Sequence, residues 1–133
     1  MRREFDLLAL DREHLDAAGS QWEAVKSGGE FWLLIHKAKL PTGYNVPEAS
    51  IAIKIEPGYP NAQLDMAYFN PILQRTDGKP IPCADAMVHI DGRQWQRWSR
   101  HRTAANPWLP GEDSLETHLI LVHDWLAREF ERR

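Results

Sequence analysis

The sequence predicts an α+β fold in which helices pack on an antiparallel sheet. Three observations carry this. Residues 50–56 alternate, with Ile51, Ile53 and Ile55 on one side and Ala52, Lys54 and Glu56 on the other, the period of a half-buried strand. Two β-compatible runs, "QWEAV" and "EFWLLIHKAKL", flank a Gly28-Gly29 turn, which is a hairpin signal. In the C-terminal segment, Leu115, Leu119, Val122, Leu126 and Phe130 recur at helical spacing.

The elements follow in order. "LDREHLDAAG" reads as a short helix that Asp11 can cap and Gly19 can end. The hairpin follows, then a second turn at "LPTGYN", then the alternating strand. "GYP" breaks that strand, and "LDMAYF" reads as another. Short connections between three or four consecutive strands favour an antiparallel meander. Residues 70–111 hold five prolines and no sustained period, so they are expected to form a long irregular segment. Trp95, Trp98 and Trp108 are costly to leave in water and should pin that segment to the core. In the last helix Asp113, with Glu116 three positions on, has capping-box spacing. Arg128, Arg132 and Arg133 stand where the helix dipole favours cations.

Composition bounds the function. A chain of 133 residues, 43% hydrophobic, is one domain, residues 1–133. A net charge of -3 argues against bulk electrostatic binding of nucleic acid. No apolar run approaches a membrane span, and the N-terminus lacks the apolar core of a signal peptide. A single cysteine makes no internal disulfide and suits a reducing compartment, so the expected location is the cytoplasm. Cys83, His89 and His101 match no zinc spacing, and neither a metal nor a cofactor is expected.

Cys83 lies in "GKPIPCADAMVHIDG", just after an Asp-Gly turn. Without context, a lone cysteine is most often a small buried hydrophobe. Its neighbours point elsewhere. Pro80 and Pro82 hold the backbone extended, and Asp85 implies nearby water.

The order of motifs resembles the ubiquitin-conjugating (UBC) superfamily, in its bacterial branch encoded with ubiquitin-like proteins. "TGYN" at 42–45 is similar to that family's inter-strand turn. Tyr59-Pro60 follows the third strand, and Asn70-Pro71 stands near the place of its His-Pro-Asn. "DGKPIPC" is similar to the segment that leads into its catalytic cysteine. "PWLPGEDSLETHLILVHDWL" looks like the segment entering the helix behind the active site, and "GRQWQRWSRHR" like a mark of the bacterial branch. Ile72 stands where the asparagine of His-Pro-Asn would follow the proline.

The resemblance implies a UBC-like domain: a four-strand meander, a short N-terminal helix, a long active-site loop and a C-terminal helix packed on the sheet. It implies an acyltransferase that carries a ubiquitin-like protein as a thioester on Cys83 and passes it to a target amine. The partners would be an adenylating activating enzyme, which uses the ATP, the ubiquitin-like protein and a protein target. Asn70, His101 or backbone amides near Cys83 would steady the oxyanion. Asp85 would orient the incoming lysine.

Other readings stand beside these. A non-catalytic UBC-like adaptor would bind the modifier or the activating enzyme, with Cys83 merely structural. His101 reads equally as a surface histidine among arginines. Arg93, Arg97, Arg100 and Arg102 interleave with Trp95 and Trp98, a pattern that can bind single-stranded nucleic acid. It also fits inward tryptophans with arginines that tie down backbone or meet acidic groups.

Overall fold

The structure, a computed structural model, describes residues 1–131. Helix α1 spans Ala9–Ala17. Strands β1 (Gln21–Ser27), β2 (Glu30–Lys39), β3 (Glu48–Ile55) and β4 (Ala67–Asn70) follow, then β5 (Ala86–Ile90) and β6 (Arg93–Trp98). Helix α2 (Leu115–Arg128) runs into a 3-10 turn at Glu129–Glu131. All strand pairings are antiparallel, in the order β1-β2-β3-β4-β6-β5.

The predicted meander is there, but the sheet has six strands rather than four. The added pair is the β5–β6 hairpin, which lies inside the segment expected to be irregular. It closes through Asp91 and Gly92, both at positive φ (52° and 78°), as a two-residue hairpin turn requires. Gly28 and Gly29 close β1–β2 the same way. β6 then inserts between β4 and β5, so the chain returns to the sheet after its excursion through Cys83.

Both faces of the sheet are buried, which corrects the half-buried reading of β3. Ile51 and Ile53 join the larger core under the helices, with Leu33, Phe69, Trp98, Leu115, Val122 and Leu126. Ala52 faces a second core with Val25, Trp32, Leu34, Tyr68, Ile90 and Trp95. The sheet curls around this second core. At its ends the Asp91 amide donates to Ser27 Oγ at 2.9 Å, and Arg2 joins Glu23 and Asp91. Trp95 and Trp98, three residues apart on one strand, therefore lie on opposite faces, and both are buried.

Two caps differ from expectation. Helix α1 begins before Asp11, whose carboxylate is buried within the helix and accepts from Tyr59. In α2, Ser114 is the N-cap, and its amide donates to Thr117 Oγ1 at 2.9 Å. Asp113 instead accepts from the Leu109 amide and the Thr117 hydroxyl. The apolar stripe of α2 lies against the sheet as predicted. Arg132 and Arg133 fall outside the described residues. Among the described residues no helix is long and apolar enough to cross a membrane.

Candidate functional site

The segment between β4 and β5 is pinned in steps. The buried Gln96 amide brackets Leu73, accepting from its N–H at 3.0 Å and donating to its carbonyl at 3.1 Å. Arg75 then pairs with Asp77 through two nitrogens, at 3.0 and 2.6 Å. Asp77 Oδ1 accepts from the Lys79 amide as the chain turns at Gly78. Ile81 and Ala84 are buried, while Pro82 and Cys83 between them are exposed. Two apolar anchors thus lift a two-residue tip into solvent.

Cys83 is the only cysteine, is exposed, and has φ of 53°. A left-handed conformation at a non-glycine residue is costly and persists where surrounding contacts enforce it. Those contacts are visible. The Ser99 amide donates to the Cys83 carbonyl at 3.0 Å, and Arg100 Nη1 donates to the Pro82 carbonyl at 2.9 Å. Beside the tip lies a groove of about 570 Å³, whose wall includes Lys79, Ile81, Ala84, Asp85 and Met87.

The expected site residues are distributed unevenly. Asp85 is exposed and lines this groove, two residues from Cys83. His101 follows the same end of β6, but Nδ1 contacts Asp65 Oδ2 at 2.8 Å, and Asp65 adjoins the β4 flank rather than the β5 flank that leads from Cys83. Asn70 lies elsewhere. It continues the β4–β6 register to the level of Trp95, whereas Cys83 meets Ser99. Four residues of strand separate those levels by about 13 Å. The Asn70 amide donates to the Gln94 carbonyl at 3.0 Å.

The basic-aromatic run serves the fold. Both of its indoles are buried, Arg100 reaches Glu129, and Arg102 pairs with Asp113 at 3.3 Å. This matches the reading of inward tryptophans with arginines bound to backbone and acidic groups. Sequence reasoning missed Arg75 and Glu129. Their side chains are only 4% and 1% exposed, and they pair at 3.2 Å behind the loop. Nothing local marks Glu129, which reads as one more charge at a helix end.

No curated protein and no solved structure matches the chain. The family model described as prokaryotic E2 family E matches residues 7–129. With nearly the whole chain covered, including the curled sheet, the Cys83 loop and α2, the protein belongs to prokaryotic E2 family E, a family of bacterial ubiquitin-conjugating-like proteins.

Proposed function

We propose that this protein carries a ubiquitin-like protein as a thioester on Cys83 and passes it to an amine of a target. The observation that supports this most is the exposed thiol at the tip of an otherwise anchored turn. In the first step the Cys83 thiolate attacks the thioester carbonyl on the activating enzyme. A new S–C bond forms, and the activating enzyme's thiolate leaves. A thiolate is nucleophilic enough to need no dedicated base. In the second step a target amine attacks the Cys83 thioester. The tetrahedral oxyanion collapses, the Cys83 thiolate leaves and the amine loses a proton.

The groove beside Cys83 supports a division of roles. Asp85 orients the amine and accepts its proton, and backbone amides of the Cys83 turn face the oxyanion. Asn70 is left out of this scheme because it lies four residues along the sheet from the level of Cys83, where its amide holds the Gln94 carbonyl. His101, held by Asp65 after the same end of β6, is the other side-chain candidate for the oxyanion. The position of Asn70 also favours a second reading, an adaptor that binds the modifier or the activating enzyme without chemistry.

A transfer assay separates the two. The protein is mixed with its activating enzyme, the ubiquitin-like protein and ATP, and resolved without reductant. The proposal expects a reductant-sensitive adduct in wild type and none in Cys83→Ala. Absence of the adduct in wild type, with the activating enzyme charged, selects the adaptor.

A further inference from the structure

The loop that carries Cys83 is held at both ends by one buried carboxylate. Glu129 sits in the 3-10 turn after α2 with its side chain 1% exposed. Its Oε2 meets Arg75 Nη1 at 3.2 Å, and its backbone carbonyl accepts from the same nitrogen at 2.6 Å. Its Oε1 lies 3.6 Å from Arg100 Nη2. Each arginine extends the grip. Arg75 binds Asp77, whose carboxylate holds the Lys79 amide and sets the turn entering the loop. Arg100 binds the Pro82 carbonyl, one peptide before Cys83, and lies 5.0 Å over the Trp98 ring.

The chemistry of the pair explains the arrangement. A guanidinium is a rigid planar fork whose several N–H groups can serve a carboxylate and a carbonyl together. Here Arg75 donates to the Glu129 carboxylate and carbonyl and to Asp77, while Arg100 donates to the Pro82 carbonyl and stands as an ion pair 3.6 Å from Glu129. Burial strengthens the Arg75 hydrogen bonds and the Arg100 ion pair and makes loss of the shared carboxylate costly.

We propose that Glu129, acting through Arg100, is a positioning residue for Cys83: it fixes the left-handed turn from which the thiol projects. Its effect on acyl transfer rests on the Cys83 reading above; its effect on the turn does not. A displacement of about 1 Å at a reacting group is enough to cost about 100-fold in rate.

The test uses the full chain as Glu129→Gln and Arg100→Lys, with Arg100→Lys serving if Glu129→Gln does not fold. Hydrogen exchange at the Ser99 amide reports the bond to the Cys83 carbonyl. Single-turnover discharge of the Cys83 thioester to a free amine reports the chemistry. The expected result is Ser99 exchange faster by about tenfold or more, with discharge slowed by a similar factor. A core variant of matched Tm, such as Ile53→Ala, should leave both near wild type, whereas a merely structural role would affect all three variants alike. Adding Glu129→Gln to Arg100→Ala should produce no further change at Ser99, since the first acts through the second.

Ser99 exchange unchanged in both variants overturns the proposal. So does a matched change in Ile53→Ala. Faster exchange with unaltered discharge overturns the positioning role. If wild type forms no adduct, the Cys83 reading falls, and Ser99 exchange alone decides whether Glu129 sets the turn.

Discussion

The Tyr59 hydroxyl donates a 2.6 Å hydrogen bond to the buried Asp11 carboxylate. The same oxygen accepts from the Leu115 amide at 2.7 Å. One phenol therefore ties α1, the turn after β3 and the first residue of α2 into one corner. Tyr59→Phe should strand a buried carboxylate and a helix-terminal amide, at a cost of about 2–4 kcal/mol by denaturant titration. Loss of less than about 0.5 kcal/mol would mean that water replaces the hydroxyl freely.

Burial raises the pKa of Asp11, and the Tyr59 hydrogen bond opposes that shift. The folded state thus holds the Asp11 proton more tightly than the unfolded chain does. The stability from this group is fully present below the unfolded carboxylate pKa of about 4 and is lost as pH rises through the folded value. Asp11→Asn keeps an acceptor for Tyr59 and removes the buried charge. It should be more stable than wild type near neutral pH, with the gain vanishing below about pH 4. A gain independent of pH would refute this account.

Gly43 is where the "TGYN" turn meets the 3-10 turn that follows α2. Its φ is +119°, and a Cβ there would lie 2.6 Å from Phe130 Cε1. Gly43→Ala must strain the backbone and displace the ring, which also packs edge-on against Tyr44. A loss of about 1–3 kcal/mol is expected by thermal or chemical unfolding.

Gln96 is a buried amide that serves three partners: the Leu73 amide and carbonyl, and Trp98 Nε1. Gln96→Leu fits a similar volume and satisfies none of them. It should cost about 3 kcal/mol and speed exchange at the Leu73 amide. Near-neutral stability would show that segment 71–75 finds other partners.

Cys83 itself contributes little packing. Cys83→Ala should change stability by less than about 0.5 kcal/mol. Cys83→Gly should be at least as stable as Cys83→Ala, because glycine adopts φ of 53° without a Cβ penalty. A glycine variant weaker by more than about 1 kcal/mol would contradict a left-handed turn at this position.

Much of the fold was legible because local rules suffice for it. Gly28-Gly29, the alternation around Ile53 and the stripe from Leu115 to Leu126 each report one face and one turn. β6 was legible only in part: Trp95 and Arg97 alternate with Gln94 and Gln96, which suggests a short extended or turn segment but not a sheet strand. Its two faces meet different cores, with Trp95 on one and Trp98 on the other and buried polar Gln96 between them, so no apolar stripe marks it. Asp91-Gly92 was the available signal: an Asp-Gly turn between two β-compatible runs. At the candidate site, Cys83 and Asp85 are two residues apart and share one loop. Asn70 is close in the chain but separated by strand length. Glu129 is 54 residues from Arg75, and only the docking of α2 brings them together.

That last separation has a consequence for how the molecule comes into being. Cys83 is made well before Glu129, yet the two arginines that brace its loop share their carboxylate only when α2 has closed on the sheet. Long-range contacts of this kind form late, after the entropy of closing the intervening chain has been overcome. A nascent chain halted before residue 129 would already display its thiol, but on a loop not yet braced. If Glu129 positions the Cys83 turn as proposed, maturation of that turn is tied to completion of the fold.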